Sequence, residues 1–237
     1  MSENRQLTRE ESIMKRRGII YSKENIFTKN NRAWINGIIE DEFEYSHTSF
    51  EVKFYKTKVK VLRSDEEGVD YVPIMVPESL IPDSLKASAK GKYIEVGGQF
   101  HSYNEWADGG KKYLKLFVYA KIMNIYETQD QFEEVINANA IYLDGYICKK
   151  PIYKTISLDK KITDLIVAVN RSGRSDYIPC VALQEEADYA SKLKIGNRIK
   201  LYGRAQSRKY FKRYEPDFKD GEFREAYEIS VVKMKTV

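Results

Sequence analysis

From Lys192 to Tyr214 the chain carries nine basic residues and no acidic one, with Tyr202, Tyr210, Phe211 and Tyr214 set among them. Guanidinium and ammonium groups match phosphates, and exposed aromatic faces stack on unpaired bases. The mixture suits a groove that holds a single-stranded nucleic acid with little regard to its sequence. The competing reading is a solvated basic strand and hairpin that binds nothing. A second stretch, Val52–Arg63, has five basic residues, no acid, and an alternation of Lys56, Lys58 and Lys60. The run Asn170-Arg171-Ser172-Gly173-Arg174-Ser175-Asp176-Tyr177 adds two arginines beside a tyrosine.

Catalytic signatures do not accompany these stretches. The chain has no Gly-x-x-x-x-Gly-Lys-Ser/Thr loop, no Gly-x-Ser-x-Gly and no His-Glu-x-x-His. Its two histidines, His47 and His101, and two cysteines, Cys148 and Cys180, are too few and too scattered for a zinc site. No nucleophile and orienting group surround His101 in sequence, so it is expected to stack or to hydrogen-bond. Asp70 and Asp176 each stand alone at the start of a strand and read as turn-capping residues. No enzyme activity, cofactor, metal or small-molecule substrate is expected.

The elements that must position these groups occur twice. Trp34-Ile35-Asn36-Gly37-Ile38 is echoed by Tyr142-Leu143-Asp144-Gly145-Tyr146, 108 residues on; Asp70-Tyr71-Val72-Pro73 returns as Asp176-Tyr177-Ile178-Pro179 after 106. Gly91–Gly98 returns as Gly196–Gly203 after 105. A period of this length is a duplicated domain and no solenoid repeat. The second copy reads as strands over Asn139–Lys149, Asp164–Arg171, Tyr177–Leu183, Ile195–Ser207 and Glu225–Lys233, with a helix over Glu185–Leu193. The order β-β-β-α-β-β predicts an all-β chain with short helices: two tandem five-stranded barrels of the oligonucleotide/oligosaccharide-binding (OB) kind. Gly37 and Gly145 in mid-strand predict a coiled, bulged first strand. In the first copy Phe50, Val52 and Phe54 share one parity and Thr57, Val59 and Val61 the other, which predicts an inserted residue near Tyr55.

These landmarks divide the chain into a charged arm (1–30), a first barrel (31–126), a polar linker (127–138) and a second barrel (139–237). Their net charges, counted along the sequence, are +3 for 1–30, −5 for 31–138 and +7 for 139–237, which points to a polyanion held mainly by the second half. No apolar run reaches signal-peptide or membrane-span length, so a cytoplasmic protein with reduced thiols is expected, associated with the nucleoid or with a mobile element.

The run DLIVAVNRSGRSDYIPCVALQEEADYASKLKIGNRIKLYGRAQSRKYFKR, together with NAIYLDGYICKKPIYKT, closely resembles the core of bacterial single-stranded DNA-binding proteins. The first copy, with FEYSHTSF, DYVPIMVPESLI and VGGQFHSYN, resembles the divergent partner of a tandem two-barrel form. The resemblance implies a protein of DNA replication, repair and recombination that coats single strands. It implies base stacking on Tyr177 and Tyr210, with Arg171, Arg204 and Arg208 beside them. The remaining candidates in the second copy are Tyr153, Arg174, Gln206 and Phe211. In the first copy they are Lys53, Tyr55, Arg63, Phe100, Tyr103 and Trp106. The family's four-barrel assembly implies a homodimer, expected to form partly through first-strand surfaces around Trp34 and Tyr142. Its acidic tail with an apolar tip has no match in Ser230–Val237, so recruitment of proteins through a tail is not expected. Two other functions fit the residues: an OB scaffold that contacts proteins of replication restart, and an RNA-binding OB protein.

Overall fold

The computed structural model describes residues 29–63, 68–85, 88–107, 110–126, 139–156, 160–213 and 221–237. The arm before Lys29, the linker and Tyr214 lie outside the described residues. In the first half the strands are β1 (Asn31–Ile39), β2 (Glu44–Ser49), β3 (Val52–Leu62), β4 (Val69–Pro77), β5 (Tyr93–Ala107) and β6 (Lys111–Tyr126). The second half has β7 (Asn139–Ile147), β8 (Ile152–Ile156), β9 (Lys160–Arg171), β10 (Arg174–Leu183), β11 (Arg198–Arg213) and β12 (Gly221–Thr236), with helix α1 (Gln184–Ala190) after β10.

The period of two in the sequence shows directly in burial. Along β9, Thr163, Leu165, Val167 and Val169 face inward while Asp164, Ile166 and Ala168 face out. Each half closes a five-stranded barrel, β1-β3-β4-β6-β5 and β7-β9-β10-β12-β11, because the first strand pairs on both sides. β1 runs beside β5 and reaches β3 at Ile38 and Ile39; β7 runs beside β11 and reaches β9 at Tyr146 and Ile147. β2 and β8 are additional short strands, hairpinned onto the outside of β3 and β9.

The mid-strand glycines sit at that closure, not at a bulge. A Cβ on Gly37 would lie 2.2 Å from the Lys60 carbonyl oxygen, and one on Gly145 2.5 Å from that of Ala168. The register of β1 with β5 and of β7 with β11 is unbroken; the irregularities fall at Gly97/Gly98 and Tyr202/Gly203, where β5 and β11 meet β6 and β12. The expected insertion near Tyr55 is absent too. β3 pairs with β4 without a break from Phe54 to Leu62, and the irregularity lies in β2 between Tyr45 and His47. Phe54 is buried because the His47 ring stacks on it at 5.0 Å and Tyr119 lies 5.8 Å away. Phe50 belongs to the tight turn between β2 and β3, with φ of 46°, and its side chain is exposed.

The barrels are fused edge to edge. β1 pairs antiparallel with β7, Asn31–Ile35 against Asn139–Leu143, giving one continuous sheet of 12 strands. Trp34 and Tyr142 are buried at this seam, with Tyr142 5.1 Å from the Tyr202 ring. Burial, with Asp144 and Tyr202 close by, pushes the Tyr142 hydroxyl up to about 12. The expectation that these first-strand surfaces receive a second copy is therefore overturned: the chain's own two barrels occupy them. The duplication extends to the clamps beside the seam. The Asn31 side chain bonds both backbone groups of Phe100 (2.7 and 2.8 Å), and Asn139 does the same to Ala205 (2.7 and 2.8 Å).

Candidate nucleic-acid interface

On the outside of the second barrel, residues paired across neighbouring strands form rows on one face. One row runs Arg198 (β11), Tyr146 (β7), Ala168 (β9), Tyr177 (β10). The two rings are 40% and 51% exposed, with only a methyl group between them. They stand two strand spacings apart, about 10 Å. Further along, Ile166 pairs with Pro179, then Ile152, Asp164 and Val181 align, then Lys154, Ile162 and Leu183. Ile152 and Leu183 are exposed, so the strip presents apolar side chains to water on either side of an exposed Lys154–Asp164 ion pair of 2.5 Å. Arg198 ends the row with its guanidinium on Asp144 at 2.9 and 3.1 Å.

Tyr153 does not join this strip. It pairs with the inward-facing Thr163, and its hydroxyl donates to Asp188 of α1 at 3.3 Å. Arg174 is exposed at the first position of β10, paired with Arg171 across the hairpin. On β11 the candidate side chains are largely engaged within the protein. The Arg204 guanidinium donates to Asp70 of the first barrel at 2.5 Å, Gln206 donates to Glu228 at 2.8 Å, and Arg208 lies 3.4 Å from Glu228. Tyr210 is part of β11 rather than of a loop, because β11 and β12 continue as a long ribbon that pairs Tyr210 with Arg224. Its ring is partly exposed, with the Arg208 guanidinium 5.5 Å from the ring centre. Phe211 points to the opposite face of the ribbon, edge-on to the exposed Phe223 at 5.1 Å.

The corresponding row in the first barrel is Tyr93 (β5), Ile38 (β1), Lys60 (β3), Tyr71 (β4). Lys58 pairs with Pro73 and Lys56 with Met75, so a line of lysines stands where the second barrel has Asp164, Ile166 and Ala168. Lys56 and Lys58 each have an exposed carboxylate nearby, Glu44 at 3.2 Å and Asp41 at 3.8 Å. Tyr55 donates to Glu78 at 3.3 Å, and Lys53 lies 3.9 Å from the same side chain. Tyr103 is partly exposed beside Phe117, and Trp106 is 65% exposed with the Lys112 ammonium 4.2 Å from its ring centre. Phe100 is a correction: it is 1% exposed in the core and has no face to offer a base.

Asp70 and Asp176 are the larger correction. Neither caps a turn; both are buried and bind the opposite barrel. Asp70 (β4) accepts from Arg63 at 3.1 and 2.7 Å, from Arg204 of β11, and from the Ser207 N–H at 3.3 Å. Asp176 (β10) accepts from His101 Nδ1 at 2.7 Å and from the Ser102 N–H at 3.0 Å, both on β5, with Arg171 at 3.6 Å. Arg63, Arg171 and Arg204 thus serve these buried carboxylates, and His101 is a hydrogen-bonding group inside the protein.

The rows add residues that the sequence motifs did not single out, Tyr146, Ile152 and Leu183 in the second barrel and Tyr71 in the first, and they set the alternating Lys56, Lys58 and Lys60 on one face. Tyr146 carried a signal, because it alternates with the apolar Leu143-x-Gly145-x-Ile147 face. Among the described residues no group of three His, Cys, Asp or Glu side chains could hold a metal, and no helix is long and apolar enough to cross a membrane.

Residues 138–237 match the sequence model of the Single-strand binding protein family. No curated protein matches the chain. Among solved structures it is similar to the wild-type single-stranded DNA binding protein from Thermus aquaticus, with TM-score 0.67 and 17% identity over 87% of this chain and 92% of that one. A deletion mutant of the same protein gives TM-score 0.68 and 16% identity over 87% and 94%. The second barrel thus carries the sequence pattern of that family, and the chain as a whole has the two-barrel OB fold.

Proposed function

We propose that the chain binds and coats single-stranded DNA largely without regard to sequence, its second barrel stacking bases and its first barrel taking phosphates. The observation that carries this reading is the row Tyr146-Ala168-Tyr177: two exposed rings held apart on a rigid sheet, in the barrel that matches the family. Every base has an apolar face, so ring platforms contribute about 1–3 kcal/mol per base whatever the sequence. Ile166, Ile152 and Leu183 extend the platform around the exposed Lys154–Asp164 pair. Lys56, Lys58 and Lys60 on the equivalent face of the first barrel supply cations for the backbone. The exposed ion pairs of Lys56 and Lys58 are worth only about 0–1 kcal/mol each and yield readily to phosphate.

Coating of this kind serves replication, repair and recombination. A homodimer supplying four barrels remains the expected assembly, with its contact away from β1 and β7. Light scattering at micromolar concentration should give twice the chain mass, and Trp34 and Tyr142 substitutions should not be what separates the two copies. The function itself is tested by titrating the protein with oligo-dT, oligo-U and duplex DNA at two salt concentrations. Tight binding to oligo-dT, weakening with salt and far exceeding binding to duplex, is the expected result. Equal binding to all three, or none, would refute it.

A further inference from the structure

The residue after each buried aspartate is a tyrosine, half-buried Tyr71 on β4 and exposed Tyr177 on β10, and its backbone is held by the other barrel. The Tyr177 N–H donates to Ser102 Oγ at 2.9 Å, while Ser102 offers its own N–H to Asp176. The Tyr71 N–H donates to Ser207 Oγ at 3.2 Å, while Ser207 offers its own N–H to Asp70. One serine hydroxyl, one serine N–H and one cationic or imidazole side chain from the neighbouring barrel therefore meet each Asp-Tyr pair. The arrangement is reciprocal and spans 74–75 residues in one direction and 134–137 in the other.

We infer that Ser102 and His101 of the first barrel are positioning residues for the Tyr177 stacking platform of the second. This rests on the proposal that Tyr177 binds bases. Tyr177 stands near the hairpin end of β10, where β9 is its pairing neighbour, through Ala168. An edge of this kind is free to twist unless another element ties it. Here the tie comes from β5: Asp176 is anchored on the inward side, and the Tyr177 amide is bonded beyond its own barrel. The ring direction follows from the backbone, since side chains stand roughly perpendicular to the sheet. A stacking platform needs its ring placed before the base arrives, because ordering it on binding would subtract from affinity. The two braces differ in one group. Arg204 and Arg63 flank Asp70, whereas His101 and Arg171 flank Asp176, with the second imidazole nitrogen of His101 3.2 Å from Gln99 Oε1.

The experiment is a double-mutant cycle in the full chain, read as oligo-dT affinity with a melt on each preparation. Ser102→Ala removes the acceptor for the Tyr177 amide without stranding a charge. It should weaken binding about three- to tenfold, and Ser102→Thr, which restores the hydroxyl, should recover most of it. His101→Asn, which keeps a donor toward Asp176, should bind better than His101→Ala. In a Tyr177→Ala background, Ser102→Ala should produce no further loss, because contacting residues couple while independent ones add. Ser207→Ala, which acts on Tyr71, should lose the same factor with or without Tyr177. If Ser102→Ala weakens binding equally in both backgrounds, or leaves affinity unchanged, the brace does not position the ring. If Tyr177→Ala alone leaves affinity intact, the platform reading fails, and this inference with it.

Discussion

The two barrels share a frame and differ in the face they show to solvent. At equivalent rows the second has Asp164, Ile166, Ala168 and the ring pair Tyr146 and Tyr177; the first has Lys56, Lys58, Lys60, Ile38 and Tyr71. Net charge runs the other way, with +7 on the second region and −5 on the first. Charge summed over a domain therefore does not locate the cations on its open face. In the second barrel Arg198, Arg204 and Arg208 turn to Asp144, Asp70 and Glu228. Their charge is used for building the sheet and joining the barrels. In the first barrel the lysines stand on the open face, where Lys56 and Lys58 meet the exposed carboxylates of Glu44 and Asp41.

That contrast can be broken most forcefully at Phe100. Its equivalent is already alanine in the second barrel, Ala205, yet Phe100→Ala should cost about 3–5 kcal/mol of stability, read from thermal or denaturant melts. Oligo-dT affinity of the remaining folded protein should be unchanged; a specific loss of binding would put the ring back at the interface. Next in size is Tyr177→Ala. Loss of one platform should weaken oligo-dT binding by about 1–3 kcal/mol while the melting temperature stays at the wild-type value. A lowered melt with proportionate loss of binding would make Tyr177 a packing residue. Tyr210→Ala should cost about tenfold in affinity, again at constant melting temperature, since the ring lies on the ribbon surface beside Arg208. The smallest effect on affinity, and the sharpest test of the contrast, comes from Lys58→Gln with Lys60→Gln. The slope of log K against log salt should flatten by roughly 0.7 for each phosphate contact removed, whereas Tyr177→Ala leaves the slope alone. A slope untouched by the lysine changes would mean that the phosphates lie on the second barrel after all.

Much of the fold was legible because it depends on local pattern. Alternating burial, the paired glycines and the repeated landmarks specify two barrels, and β9 and β10 extend what those patterns predicted. β8 was not legible: all of its residues are exposed, so it has no burial period to detect. The long β11–β12 ribbon was cut short for the same reason, since beyond Ser207 polar and aromatic residues replace the apolar alternation. Of the candidate site, Tyr177 and Tyr210 were visible as rings in a basic or turn context. Phe100 was misread because an aromatic after two glycines looks the same whether it faces in or out.

What the sequence alone determined is whatever repeats at short range: the strands, the glycines at Gly37 and Gly145 that let each barrel close, and a duplicated domain rich in tyrosine and basic residues. What only the tertiary structure decided is partnership over long separations. No local pattern tells Asp176 that its hydrogen-bond donors are His101 and Ser102, or tells Arg204 that it will serve Asp70. The physical reason is the seam between β1 and β7. Pairing those strands carries β5 against β10 and β11 against β4, and a buried carboxylate there must find donors or remain unsatisfied at high cost.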